Sequence, residues 1–385
     1  MHRMRGLKNL PVIWAAAVSL LLGLFALVGC TETEAIPATI TVLPTQENLQ
    51  DLILDGNLEQ AAQILRQTLV DDPENASAHY QLGLILSITQ PEQAADQLSQ
   101  AASQDTSFEA GLTKLQDALR QSSTIQDPAY QLTVTGQALS SLEEWFLAQA
   151  ALERAVDYDP TYAEAWAYLG ETRQHTGQEN GLEALQTAIS LDPESYAANL
   201  LMSIYWNRNA TPRRALPFLR TALKQDPNNL TLVENLAQTL VDAGMVEAGF
   251  DTLQELTDQS PEKPETWMML ARLSVENDIK VEEVGLPAAR QAVLLEPEDP
   301  AATLMLGRAY LLSENALLAE RFFATTLQLD PQMAAPHLYL AIIYLNQDNH
   351  QPAKPHLMEA LSLAEANGDQ AIADQAEKFL KLYFP

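Results

Sequence analysis

The sequence predicts an all-α protein built from repeated pairs of helices. Three observations carry this prediction: proline recurs at a nearly constant interval, strand-like alternation of apolar and polar residues is almost absent, and only 15 of 385 residues are glycine. Ala38 to Leu43 is the one short stretch with the Val, Ile and Thr content of a strand. Hydrophobic residues make up 47% of the chain, which is enough for a continuous core.

Prolines that follow an acidic or serine residue recur along the chain, and most of the following seven are evenly spaced. They are Pro73, Pro160, Pro193, Pro227, Pro261, Pro297 and Pro331. From Pro160 onward the separations are 33, 34, 34, 36 and 34 residues. Proline ends a helix because it has no N–H to donate and its ring clashes with the preceding turn. Each interval therefore predicts two helices of about a dozen residues, with breakers such as Gly177 and Gly244 between them.

A sequence motif accompanies this spacing. Trp166 stands three residues before Leu169-Gly170, and Trp267 stands in the same relation to Leu270-Ala271. A longer pattern contains Leu306-Gly307, Tyr310, Ala319, Phe323 and Pro331. In these features the chain resembles the tetratricopeptide repeat family, whose signature is W-x₂-L-G-x₂-Y, then A-x₃-F, then P. The resemblance implies an α-solenoid, a right-handed superhelix of helix-turn-helix repeats.

Small residues occupy matching places in successive units, where the two helices of a repeat must approach each other closely. In the first helices these residues are Gly83, Gly136, Gly170, Ala237, Ala271, Gly307 and Ala341. In the second helices they are Ala61, Ala148, Ala215, Ala319 and Ala353. Many copies in register are much stronger evidence for a repeat array than one copy would be.

About nine units fit between residues 45 and 366, with one irregularity. The period fails at 107–128, where an extra helix from Phe108 to Arg120 precedes a polar stretch. We interpret this segment as a decayed half-repeat and a hinge, and a functional insertion is the alternative. The predicted layout is a lipoprotein signal peptide at 1–29, lipidated Cys30 with a flexible tether to 44, repeats at 45–106, the irregular helix or linker at 107–128, repeats at 129–366, and a capping helix at 367–385.

The N-terminus has the features of an export signal. Basic residues precede an apolar run from Leu10 to Val28, and Gly29 stands before Cys30, the single cysteine of the chain. This arrangement resembles the lipobox of bacterial lipoproteins, which implies that Cys30 is acylated and becomes the first residue of the mature chain. An uncleaved membrane anchor is the alternative, because about 19 apolar residues approach the length of a membrane span. One thiol excludes a disulfide within the chain.

The charge balance excludes several classes of partner. Lys and Arg number 22 against 51 Asp and Glu, which gives a formal net charge of −29. Nucleic acid is an unfavourable ligand because phosphate backbones require clustered cations. Adsorption to anionic lipid is disfavoured for the same reason, so membrane attachment must come from the N-terminal lipid.

The sequence does not support catalysis, a metal site or a cofactor. No histidine of the predicted mature chain has a second histidine three or four residues away, and His350 and His356 are expected to flank a turn near Pro355. There is no G-x-S-x-G elbow, phosphate-binding glycine loop or EF-hand calcium loop. Catalytic residues, metal ligands, cofactors and small-molecule substrates are therefore all predicted to be absent.

The resemblance places a partner site on the concave surface, which the first helix of each repeat lines and where members of the family bind peptides or helices. Projected onto such helices, the side chains that face this groove are Leu200, Ile204, Arg208, Gln238, Met268, Arg272, Leu304, Arg308, Leu338 and Ile342. Arg272 and Arg308 occupy equivalent places and are predicted to form a local positive site for a carboxylate. The alternative is that they pair with glutamates of adjacent helices.

The resulting hypothesis is a non-enzymatic scaffold, lipid-anchored to the cell membrane or outer membrane on its periplasmic or extracellular face. It binds a protein or peptide, and similar lipoproteins assist the assembly or export of envelope structures. A passive structural spacer is one alternative. An envelope enzyme, or the regulatory subunit of one, is another.

Overall fold

A computed structural model describes residues 45–384. The predicted signal peptide, Cys30 and the tether to residue 44 lie outside the described residues, as does the strand-like stretch from Ala38 to Leu43. Within the described part the chain is helical throughout, with no strand. None of the helices in this part combines the length and apolarity that a membrane span requires.

Twenty α-helices make up the described chain, together with a 3₁₀ turn at Thr106–Phe108 and a π-helical turn at Val281–Gly285. The helices are α1 (Thr45–Leu54), α2 (Leu58–Asp71), α3 (Ala76–Thr89), α4 (Pro91–Gln104), α5 (Glu109–Ser122), α6 (Pro128–Ser141), α7 (Trp145–Tyr158), α8 (Ala163–His175), α9 (Gly181–Leu191), α10 (Tyr196–Arg208), α11 (Pro212–Gln225), α12 (Leu230–Asp242), α13 (Val246–Gln259), α14 (Pro264–Asn277), α15 (Leu286–Leu295), α16 (Pro300–Leu312), α17 (Ala316–Leu329), α18 (Ala334–Asn346), α19 (His350–Asn367) and α20 (Gln370–Tyr383).

Eighteen of these helices form nine consecutive hairpins, and α5 and α20 are single helices. The hairpins run from α1/α2 to α3/α4, resume at α6/α7 after α5, and continue to α18/α19. The all-α architecture of helix pairs predicted from the sequence is therefore confirmed. We call α3, α6, α8, α10, α12, α14, α16 and α18 the first helices.

The periodic prolines lie in the turns between hairpins, as their lack of an N–H requires. The turn inside two hairpins contains Gly177 or Gly244, with φ of +76° and +79°, a left-handed conformation that glycine adopts without steric cost. Several first helices begin at an Asn, Asp or Ser whose side chain accepts a hydrogen bond from a backbone N–H of the first turn, for example Asn229 from Leu232 and Asp299 from Ala301. Local sequence therefore sets where these hairpins start.

Small residues allow the paired helices to touch, as the sequence predicts. A Cβ added at Gly307 would lie 2.6 Å from Cε1 of Phe323, and one added at Gly136 would lie 2.6 Å from Cγ of Leu152. These distances are far below van der Waals contact, so only glycine fits at these crossings with the present partners.

The described helices fall into two compact units, residues 45–228 and residues 229–384. The first unit contains the irregular segment predicted at 107–128, which consists of the 3₁₀ turn, α5 and a short connection to α6. α5 is a helix without a hairpin partner, and its interpretation as a decayed half-repeat and hinge stays a prediction. It packs against α4 and α6.

In the second unit α20 packs on α18 and α19 through small residues. Ala373 of α20 is buried with Ala334 and Ala364, whereas Asp374, Lys378 and Lys381 on the other side are exposed. One buried face and one polar face are what a terminal cap of a helical array needs.

Candidate functional site

The sequence-predicted site residues of the second unit lie on the first helices α12, α14, α16 and α18. On α14, α16 and α18 two of these residues lie four apart, which places each pair on one face of its helix, and α12 contributes Gln238 alone. Gln238, Met268, Arg272, Leu304 and Arg308 are all partly exposed. We call the face that these five residues form the first-helix face of residues 229–384.

Each arginine of this face forms an ion pair with the preceding first helix. Nη1 of Arg272 lies 2.7 Å from Oε1 of Glu234, and Nη1 of Arg308 lies 3.5 Å from Oε1 of Glu276. The Arg308 guanidinium also lies 5.9 Å from the centre of the Tyr339 ring. The two arginines are therefore neutralised within the protein, in agreement with the alternative interpretation of the sequence, and they do not form the uncompensated positive site.

An amide pair adds to these links between helices. Nε2 of Gln238 donates to Oδ1 of Asn277 at 3.1 Å, and Nδ2 of Asn277 donates to Oε1 of Gln238 at 2.9 Å. A reciprocal pair of this kind fixes both side chains in one orientation. The polar side chains of the face are thus held in place before any partner arrives.

Two predicted groove residues lie in the core instead. Leu338 is 1% exposed and Ile342 is 7% exposed. The cause is their helix, α18, which is almost wholly apolar and packs against α17, α19 and the capping helix α20. As a correction to the sequence-based set, we remove both residues from the candidate contact surface.

The three predicted site residues of the first unit lie on α10. Leu200 and Ile204 are half-buried, and Nη2 of Arg208 lies 3.8 Å from Oε1 of Glu171. Arg208 also approaches Nε2 of His175 at 3.5 Å. Burial and the neighbouring Arg208 lower the pKa of His175 to about 4, so the imidazole is neutral near pH 7.

The His175 ring stacks on the indole of Trp145, with ring centres 3.6 Å apart and planes nearly parallel. The sequence left Trp145 without an assigned role. The stacking joins α7 to α8 and covers one face of the indole. Trp145 therefore has a packing role on that face.

A histidine pair that the sequence did not predict lies in the last hairpin. Nδ1 of His337 and Nδ1 of His356 are 2.9 Å apart, and burial lowers the pKa of both imidazoles. His350 and His356 do not flank a turn, because α19 continues through Pro355, which removes only one backbone hydrogen bond near the start of the helix. No group of three His, Cys, Asp or Glu side chains suited to a metal ion occurs among the described residues.

The first unit contains a cleft of about 490 Å³ that the sequence did not predict. Its walls come from α1, α3 and the start of α7, and they include Leu54, Tyr80, Glu144 and Phe146. Helices so far apart in a repeat array are not expected to touch, since each repeat normally contacts only its neighbours. No pattern in the sequence predicts this contact between α1 and α7.

Two models of the tetratricopeptide repeat family match the chain, at residues 208–273 and 283–334. The peroxisomal targeting signal receptor of Kluyveromyces lactis is 28% identical over 226 residues, which is 57% of this chain and 39% of the receptor. The PEX5-related protein of Rattus norvegicus is 26% identical over 120 residues, covering 28% of this chain and 20% of that protein. The chain thus spans about two-fifths or less of the length of these relatives.

A solved tetratricopeptide repeat protein from Parabacteroides merdae matches with a TM-score of 0.50 and 12% identity. The match covers 65% of this chain and 99% of that structure. The fold is therefore an all-α solenoid of tetratricopeptide repeats, as predicted. Repeats of this kind, together with these relatives, support a scaffold for protein–protein interaction with a protein or peptide as its partner.

Proposed function

We propose that this chain is an exported, lipid-anchored scaffold that binds a segment of a partner protein on the first-helix face of residues 229–384. The observation that carries the proposal is that this face is pre-organised: its charged and amide side chains are held by the contacts with Glu234, Glu276 and Asn277. Binding to such a surface loses little side-chain entropy, which favours affinity.

Accessible apolar side chains stand beside the fixed polar ones. Met268 and Leu304 occupy equivalent places on α14 and α16, one helical turn before Arg272 and Arg308 respectively, and both are partly exposed. A bound segment could then bury apolar side chains against Met268 and Leu304. Its polar groups would meet Arg272, whose side chain is 43% exposed, and not Arg308, which is 14% exposed.

The names of the relatives support a peptide as the ligand. A targeting signal receptor recognises a segment of another protein, and the match to one such receptor covers 57% of this chain. For this chain we propose recognition of a protein segment in the same general sense, serving the assembly or export of an envelope structure. The scaffold carries out no chemical reaction itself.

Photocrosslinking tests the location of the site. A benzoylphenylalanine introduced at Leu304 is expected to crosslink a partner protein in intact cells, because this side chain lies on the proposed face. The same probe at Leu317, which is 78% exposed on α17, is the matched control and is expected to give no specific adduct. Adducts from Leu317 alone would place the site elsewhere, and no adduct from either position would favour the passive spacer.

Anchoring through Cys30 is the second part of the proposal. Each buried CH₂ of an acyl chain contributes about 0.8 kcal/mol, so two or more chains on one cysteine make attachment practically permanent. We expect Cys30→Ser to abolish incorporation of labelled fatty acid and to leave an unprocessed or released form. A serine variant that is still cleaved and still fractionates with membranes would show that Cys30 is not the anchor.

A further inference from the structure

The cleft of the first unit has a shape that the regular repeat does not produce. The structure places α1 and α2 beside α7, which belongs to a later hairpin. Nη2 of Arg154 on α7 donates to Oε1 of Glu59 on α2 at 3.0 Å, across 95 residues of sequence. The single helix α5 interrupts the array between these elements, and the Phe108 ring just before it stacks on Tyr80 at 4.6 Å.

The cleft is apolar at its floor and at its rim. Leu49, Leu84 and Leu147 form a buried floor. At the rim, Leu54 is 47% exposed and Phe146 is 45% exposed, so both present apolar area to solvent. A volume of about 490 Å³ lies within the range of sites that take a few side chains or a small ligand.

One carboxylate in this apolar setting lacks a cationic partner. Glu144 is half-buried in the cleft wall, and the Tyr80 hydroxyl donates to its Oε1 at 3.1 Å. No Lys or Arg of the described residues forms an ion pair with it, since Arg154, the nearest arginine on α7 in sequence, is paired with Glu59. Burial raises the pKa of the Glu144 carboxyl, which shows that the charge is incompletely solvated.

The chemistry around the cleft selects a cationic occupant. Arg66 is the only Lys or Arg between residues 45 and 106, and the cleft wall also contains Glu143. The chain's own segment 31–44 carries Glu32 and Glu34 and no Lys or Arg, so it does not complement this wall. A second copy of a chain with net charge −29 is disfavoured for the same reason.

We propose that this cleft is a second binding site, specific for a protein segment in which a Lys or Arg lies next to large apolar side chains. The apolar side chains fill the cleft between Leu54 and Phe146, and the cation pairs with Glu144. This site differs in place and in chemistry from the first-helix face of residues 229–384, so either can fail without the other.

Isothermal titration calorimetry on the purified whole chain tests the site. The probe is the peptide acetyl-Ala-Leu-Phe-Lys-Leu-Ala-amide, and its comparison carries Glu in place of Lys. We expect the Lys peptide to bind and the Glu peptide to bind at least tenfold more weakly. Glu144→Gln should lower the affinity for the Lys peptide by about tenfold, since a charge-assisted hydrogen bond is lost. Phe146→Ser should lower the affinity for both peptides.

Glu74→Gln provides the matched control, because Glu74 is an exposed glutamate of the same unit outside the cleft. It should leave the affinity for the Lys peptide within about twofold, as expected for a solvent-screened charge. Equal binding of the two peptides, or an unchanged affinity in Glu144→Gln with native circular dichroism, would overturn the proposal. Binding that appears only after residues 31–44 are deleted would also overturn it, by showing that the chain's own segment occupies the cleft.

Discussion

Gly307→Leu is expected to lower the free energy of unfolding of residues 229–384 by about 3 kcal/mol, the upper part of the range for overpacked cores. Gly307 lies where α16 crosses α17, and a Cβ alone would come within 2.6 Å of the Phe323 ring. Phe323 cannot move away easily, because it is fully buried and its other neighbours include Tyr339, whose ring stacks on it at 5.1 Å.

The damage should remain local, because the stability of a repeat array is a sum over neighbouring units. Hydrogen exchange is the suitable measurement, since long arrays need not unfold in one step. Faster exchange is expected in α16 to α19, with unchanged exchange in residues 45–228. Ala324→Leu on α17 adds a similar side chain at an exposed position and should have little effect. Equal loss of protection in the two variants would mean that the helix crossing is misplaced.

The crossing at Gly307 also shows why the fold could be predicted from the sequence. A helix ends at proline and begins at a capping Asn, Asp or Ser for local reasons, so the hairpin boundaries are encoded within a few residues. The close approach of paired helices needs one small residue per crossing, and that residue recurs in the sequence. The single helix α5 could be located for the same reason, as the place where the period fails.

The candidate sites could be predicted only in part. The four-residue spacing places Met268 and Arg272 on one face of α14, and Leu304 and Arg308 on one face of α16, and all four are partly exposed. Their role in binding a partner stays a prediction. Leu338 occupies the equivalent position on α18 and is nevertheless buried, because α18 packs against α17, α19 and α20. Helix periodicity alone does not predict such tertiary contacts. The cleft at Glu144 depends on contact between the hairpins α1/α2 and α6/α7, which are not neighbours in the sequence. The spacing of the repeats does not predict such a contact.

The pairing of the arginines also could not be settled from the sequence. The chain contains 51 Asp and Glu, so the presence of a glutamate near an arginine in the sequence carries little information about pairing. The partners Glu234 and Glu276 are set by the offset between successive first helices. That offset results from how the helices pack. It determines whether an arginine pairs with a glutamate of the protein or remains available to a ligand.

Arg308→Glu is expected to lower the free energy of unfolding of residues 229–384 by about 2 kcal/mol, within the range for charged hydrogen-bonding groups. Its side chain is only 14% exposed, and the change would set two carboxylates against each other where Arg308 and Glu276 now pair. The contact with the Tyr339 ring would also be lost. The shift in thermal denaturation midpoint is the measurement. Arg321→Glu, at an exposed position of α17, is the matched control, with an expected change below about 0.5 kcal/mol.

Reversing the pair separates a structural role from a binding role. The double variant Glu276→Arg, Arg308→Glu restores opposite charges and should recover at least half of the lost stability, because much of the loss is repulsion between carboxylates. If it also recovers capture of the partner, the pair acts by holding α14 and α16 together. If stability returns and capture does not, the Arg308 guanidinium itself contacts the partner, which would contradict the assignment of the polar contacts to Arg272 alone. A midpoint for Arg308→Glu equal to that of the wild type would contradict the ion pair, since the loss of an engaged, largely buried guanidinium cannot leave the folded state unchanged.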